Sequence, residues 1–284
     1  TGRAEAGSTV NIYNNGNQLL GTALVGSNGQ WTFTPPVKLD DDLYSITTTV
    51  TDKAGNVSTG SSPAFELTVD TGKPAISTDF AVNDDTLPVM GNISDGKATN
   101  DTTPTLSGKA ELGSSVILFD NGIWIATVKV NGSGIWQYTP PASLTQGSHS
   151  FTTVVEDAAG NQSDASSAFV IIVDSIAPNA VTGLLVTDLA SPVTGGLTNG
   201  ASTNDQKPTF SGSAEANTTV ALYEGTTKLG EVQVDANGKW SLSPTDLLDP
   251  GQHIISVVVT DAAGNVSTSN PSFTLTVDIE APDP

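Results

Sequence analysis

The stretch "VTDAAGNVSTSNPSFTLTVDIEAP" occupies residues 259–282, and two near copies precede it: "VEDAAGNQSDASSAFVIIVDSIAP" at 155–178 and "VTDKAGNVSTGSSPAFELTVDTGKP" at 50–74. Each copy leaves an apolar, β-branched run, crosses a Gly-Asn turn, and closes on a second apolar run that ends in Asp and is soon followed by Pro. Trp31, Trp136 and Trp240 keep the same beat, 105 and 104 residues apart. A period of that size is a domain with its own core, unlike the repeat of a solenoid. The chain therefore divides into unit one (1–70), unit two (71–174), unit three (175–278) and a remnant, 279–284, that reads as the start of a further linker or domain.

Outward from that phrase, unit three is a series of short, partly alternating runs: "VTGLLVTD", "PTFSGSAE", "TTVALYEG", "KLGEVQVD", "GKWSLSP", "QHIISVVVTD" and "SFTLTVD". Turn signals such as "DANG" and "DPG" separate them, and no 3.6-residue apolar period competes. Seven short strands with turns every eight to twelve residues or so predict an all-β chain of tandem immunoglobulin-like sandwiches, arranged end to end as a rod. Thr1 aligns with Ser107, so the stretch 71–106 of unit two has no counterpart in unit one, and the chain reads as a cut from a longer array.

In such a sandwich Trp31, Trp136 and Trp240 are expected as core anchors, and Tyr13, Phe119 and Tyr223 are expected to face inward. His149 and His253 share one repeat position with Tyr44, where the penultimate strand begins. That is the place of a corner hydrogen bond rather than of catalysis.

Thirty acidic residues against ten basic ones leave a net charge of −20. That field repels nucleic acid and anionic membranes and suits divalent cations. Charged residues are nonetheless only 14% of the chain, against a usual ~25%, because Thr, Ser, Asn and Gly fill the polar positions. There is no cysteine, so disulfides and thiolate metal sites are excluded. The longest apolar run, "FVIIV" at 169–173, is far short of the ~20 residues of a membrane span. No nucleophile elbow, phosphate loop or H-E-x-x-H is present, which makes the expected function non-enzymatic.

The repeated acids carry the chemistry. Chain ends alternate in a seven-strand sandwich, so the loop after "SGSAE" and the "DAAGN" loop share one end, while the last strand finishes against the next unit. Asp70 is thereby expected beside Glu111 and Asp157, and Asp174 beside Glu215 and Asp261. Glu5 with Asp52, and Asp278 alone, would be half-sites. Three carboxylates held close favour a hard cation with six to eight oxygen ligands, and calcium is the natural candidate. The other reading of Asp52, Asp157 and Asp261 is that they cap backbone N–H groups of their turns, as Asn56, Asn161 and Asn265 would. Asn100 with Asp101, and Asn204 with Asp205, form a possible second calcium set near the far end of their domains, or an ordinary turn. The run Asp40, Asp41, Asp42 reads as a solvated cluster.

The phrases "TNDTTPTLSGKAELGSSV", "TNDQKPTFSGSAEANTTV", "GSGIWQYTPPASLTQGSHSF" and "DAAGN…VD…AP" resemble the bacterial Ig-like repeats of giant surface adhesins exported by type I secretion. The resemblance covers essentially the whole chain. It implies a non-catalytic, monomeric stalk, secreted or on the bacterial cell surface, in which calcium between neighbouring Ig-like domains stiffens the rod. It also implies a role in virulence, with host-surface glycans met by other parts of the protein. By position the family's junction acids fall on Asp70, Glu111, Asp157, Asp174, Glu215 and Asp261. Glu156 departs from the pattern, since its sisters are Thr51 and Thr260. A rival reading makes the segment a glycan-binding module through Trp124, which stands where the other units have Leu19 and Lys228. Another makes it an accessory array of a secreted polysaccharide-degrading enzyme.

Overall fold

The computed structural model describes residues 1–61, 63–268 and 270–281. The last three residues, which end the stretch read as the start of a further unit, lie outside them. Every regular element in this description is a strand, so the all-β expectation holds.

Unit three is a two-sheet sandwich. One sheet runs Gly195–Leu197, Thr182–Asp188, Thr209–Ser213, Lys239–Leu242; the other runs Ala201–Thr203, Ser272–Val277, Gly251–Thr260, Thr219–Glu224, Thr227–Gln233. All pairings are antiparallel except that of Ala201–Thr203 with Ser272–Val277. Unit two repeats this order strand for strand. The seven expected strands are present. The two three-residue strands in each of units two and three are additions; their glycine-rich surroundings, "TGGLTNGAST" in unit three, read as a turn because glycine is depleted from strands.

Inward positions follow the period of two: Val257, Val259 and Ile255 from one sheet meet Val186, Phe210 and Trp240 from the other. Trp136 and Trp240 are buried, at 1% and 5% exposure. Each indole lies over a glycine of the adjacent strand, Gly108 or Gly212, in cross-strand register. Trp31, over Gly2, is only half-buried. The reason is that unit one carries a four-stranded sheet (Gln18–Leu24, Thr9–Asn14, Asp42–Thr51, Phe65–Val69) faced by a two-stranded one, Gly2–Arg3 with Gln30–Trp31. Phe65 is 67% exposed on that open face.

The inward expectation for Tyr13, Phe119 and Tyr223 fails. Their neighbours Ile12, Leu118 and Leu222 take the core positions, so the aromatics fall on the opposite face of the strand and are half-buried. The corner expectation succeeds in all three units. Tyr44 Oη donates to Asp40 O at 3.1 Å, and His149 Nε2 and His253 Nε2 meet the carbonyls of Thr145 and Asp249 at 2.9 and 2.7 Å.

Candidate functional site

The "D-x-A-G-N" turns are built alike. In unit two Asp157 Oδ1 accepts the N–H groups of Ala159 and Asn161, at 2.8 and 2.9 Å, while Asn161 Nδ2 donates to Asp157 Oδ2 at 2.8 Å. Asp52 and Asp261 make the same bonds. The Asn56 and Asn161 amides, followed by backbone N–H groups, hold the carboxyls of Asp52 and Asp157 below the usual aspartate value. Each turn passes through a glycine at φ near +90°: 89° at Gly55, 91° at Gly160, 93° at Gly264. The geometry is therefore that of the capping reading, although an oxygen that accepts an N–H can also face a cation.

Neighbouring units meet through the main chain of the Asp that ends each last strand. Asn161 Nδ2 donates to Asp70 O at 3.0 Å, and Asn265 Nδ2 donates to Asp174 O at 2.8 Å. Asp70, Asp174 and Asp278 turn their own carboxylates onto the N–H two residues ahead, of Gly72, Ile176 and Glu280. Glu111 and Glu215 contribute carbonyls to Ser114 Oγ and Thr218 Oγ1, each at 2.6 Å, as Glu5 does to Ser8. Glu5 and Asp52 line one recess of about 290 Å³ in unit one. Among the described residues no three His, Asp or Glu side chains converge as they stand on a point that could hold a metal. The donor set at each junction is nonetheless all hard oxygen, the chemistry calcium takes.

The second set lies at the far end of its own domain, beside the Asp that closes the last strand. Asp174 N donates to Thr99 O, and Asp278 N to Thr203 O, each at 2.9 Å, which sets Asn100 and Asn204 beside the end of the last strand. Asp101 is buried at 1% exposure; it accepts from Asp85 N and Thr103 N. Asp205 does the same with Leu189 N and Lys207 N. Asn100 Nδ2 holds Leu87 O at 3.0 Å while its Oδ1 is buried without a hydrogen-bond partner among the described residues; Asn204 Nδ2 holds Ser191 O at 2.8 Å.

Sequence reasoning missed Asp84 and Asp188, which are 4% and 5% exposed and take hydrogen bonds from Thr99 Oγ1 and Thr203 Oγ1. The signal was available: "FAVND" and "LLVTD" each end a strand on Asp at one repeat position. Of the remaining candidates, Glu156 accepts from Gln162 Nε2, and Trp124 is 60% exposed with its indole N–H on Thr127 Oγ1 of its own hairpin.

The sequence profile of the bacterial Ig-like domain matches residues 1–71, 73–175 and 184–279. The chain belongs to the bacterial Ig-like domain family. Modules of this family are typically non-catalytic and structural. No curated protein matches the sequence significantly. Among solved structures, this bacterial Ig-like chain is similar to the fibronectin(III)-like modules of CbhA from Clostridium thermocellum (17% identity, 65% of this chain and 90% of that one, TM-score 0.42). It is also similar to a tetra-tandem repeat in the extending region of a large adhesion protein (20%, 98% and 69%, TM-score 0.29) and to domains A168–A170 of titin (10%, 97% and 96%, TM-score 0.38). Among the described residues, no helix of this Ig-like chain is long and apolar enough to cross a membrane.

Proposed function

We propose that these Ig-like units form a stalk segment of a giant extracellular adhesin, exported by type I secretion, that attaches a bacterium to host cells or surfaces. In this reading the junctions are stiffened by calcium. The observation that carries it is the repeated junction itself: the Asn of one unit's turn bonds the carbonyl of the Asp that ends the previous unit, at both joints. In this reading acids are drawn there from both sides. Asp70, Glu111 and Asp157 would hold the ion at the first joint, and Asp174, Glu215 and Asp261 at the second. Asn100, Asp101, Asn204 and Asp205 would supply further oxygens to the ends of units two and three, where Asp278 stands. Calcium would supply positive charge among acids that otherwise repel, in a chain of net charge −20. The Salmonella adhesin SiiE is the member whose repeats the sequence phrases resemble.

Small-angle scattering of the chain in calcium and then in chelator tests this reading. A rod that shortens and loosens without calcium supports it, and Asp174→Ser abolishes that response at the second joint while both flanking domains stay folded. A profile indifferent to calcium removes the metal and leaves the turns as caps. The glycan reading has one observation behind it, the exposure of Trp124. It requires sugar-dependent shifts of the Trp124 indole N–H signal, lost in Trp124→Ala.

A further inference from the structure

The three "D-x-A-G-N" turns share their hydrogen bonds and backbone conformation, and units two and three share the sequence "DAAGN" outright. Their exposure differs. Ala159 and Gly160 are exposed, like Ala54 and Gly55, whereas Ala263, at 3%, and Gly264 are buried. Identical local structure cannot account for that, so the cover comes from outside unit three. It comes from unit two. A Cβ placed on Gly264 would stand 2.9 Å from Val89 Cγ2 and 3.7 Å from Pro88 Cδ, while one on Gly160 would meet nothing within 4 Å.

Val89 sits at the tip of a loop, residues 85–90, whose base is fixed. Asp85 N donates to Asp101 Oδ2, Thr86 N to Asp84 Oδ1, and Leu87 O accepts from Asn100 Nδ2, at 3.2, 2.8 and 3.0 Å. Both aspartates are buried. Unit three ties its own loop with the equivalent bonds from Leu189, Ala190 and Ser191. Residues 1–70 contain no counterpart of that loop, which in unit two lies in the stretch 71–106. The joint of unit one with unit two has the Asn161–Asp70 bond and exposed hydrogen bonds from Thr71 to the Asp41 carboxylate, while the exposed ion pair of Lys73 with Asp164 lies within unit two.

We propose that the loop 85–90 is a bracket that sets the orientation of the following unit, with its apolar tip, Pro88 and Val89, seated on Gly264. The partner it fits is the glycine of a "D-x-A-G-N" turn. Glycine is required there twice over, for its positive φ and for the room that Val89 occupies. The contact is apolar and needs no cation, so the second joint is narrower in its angular range than the first even in chelator.

Absence of native cysteine makes the test direct. Spin labels at Thr22→Cys and Gln137→Cys span the first joint, and at Gln137→Cys and Ser241→Cys the second; all three positions are exposed. Electron–electron resonance in chelator gives the two distance distributions. The second is expected to be the narrower, and Val89→Asp, at a 56% exposed position that leaves unit two folded, is expected to broaden it to the width of the first. Gly264→Ala should broaden it too. Gly160→Ala, which carries the same backbone strain without a neighbour, should leave the first joint unchanged. Equal widths in the unaltered chain, or no broadening in Val89→Asp, overturns the bracket. Because calcium is absent throughout, that failure is separate from failure of the metal reading, which shows only when calcium is added with Val89 intact.

Discussion

At the scale of single residues, the corner position shows how one structural duty is met by two chemistries. Tyr44 bonds one carbonyl, whereas His149 bonds the Thr145 carbonyl and also Asp120 Oδ2, at 2.6 Å, and His253 bonds Glu224 Oε1 at 2.9 Å. Asn14 occupies the position of Asp120 and Glu224, so His travels with an acid and Tyr with an amide. His149→Tyr alone therefore strands a carboxylate that is 13% exposed, and is expected to destabilise unit two by about 1–3 kcal/mol. Adding Asp120→Asn gives unit two the residue types of unit one at both positions, removes the stranded charge and should recover most of that loss in urea unfolding, a coupling that a double-mutant cycle measures. The turn aspartates give a second prediction. Asn161 is the largest cause holding Asp157 below its ordinary value of 3.8. A carboxyl depressed on folding stabilises above that ordinary value, and the contribution is lost as pH falls through the depressed one. Asn161→Ala should move the Asp157 titration, followed by carboxyl NMR, upward toward 3.8, so the turn loosens at a higher pH than in the unaltered chain.

At the scale of elements, alternation and turn chemistry made seven strands per complete unit legible. The strands that escaped, such as Lys97–Thr99 and Ala201–Thr203, are three residues long and paired in parallel, too short for a period to register. Missing them had a consequence for the site. They carry Thr99 and Thr203 alongside the last strand, which brings the Asn100–Asp101 and Asn204–Asp205 pairs to the junction, where the sequence alone read a separate set. Asp84 and Asp188 escaped because an Asp closing an apolar run reads as a turn residue, although its recurrence at one repeat position was there to be seen. The register also sets a glycine opposite each tryptophan. A Cβ at Gly108 would lie 2.8 Å from the Trp136 ring and 2.9 Å from Thr78 O, with no strain of backbone conformation involved. Gly108→Ala should thus cost unit two about 1–3 kcal/mol by overpacking alone. The check is chemical unfolding with Trp136 fluorescence; a neutral result would mean the sheets separate easily at that layer.

At the scale of the whole molecule, residues 1–70 carry only part of the pattern that the next two units carry in full. The buried apolar core of unit one is Val10, Ile12, Ala23 and Val25, whereas unit two buries ten such residues and unit three fourteen. Trp31, Leu67 and Phe65 line an apolar cleft of about 180 Å³ on the face that the strands Thr78–Asp84 and Thr182–Asp188 help to cover in the other units. Burial contributes roughly 25 cal/mol per Å² of apolar surface, so the deficit falls on unit one alone and is not shared along the chain. Junctions do little to spread it, since the first joint has one amide–carbonyl bond and the exposed hydrogen bonds of Thr71 to Asp41, and a hydrogen bond contributes only about 0.5–1.5 kcal/mol net. Calorimetry of the intact chain should accordingly show unit one unfolding first as a separate transition, with the Trp31 environment lost before Trp136 and Trp240 are exposed. Trp31→Ala should lower only that first transition, and by less than the ~3–5 kcal/mol that Trp136→Ala removes from unit two, because a half-exposed ring has less burial to lose. A single cooperative transition for all three units would instead mean that the joints couple the domains far more strongly than their contacts indicate.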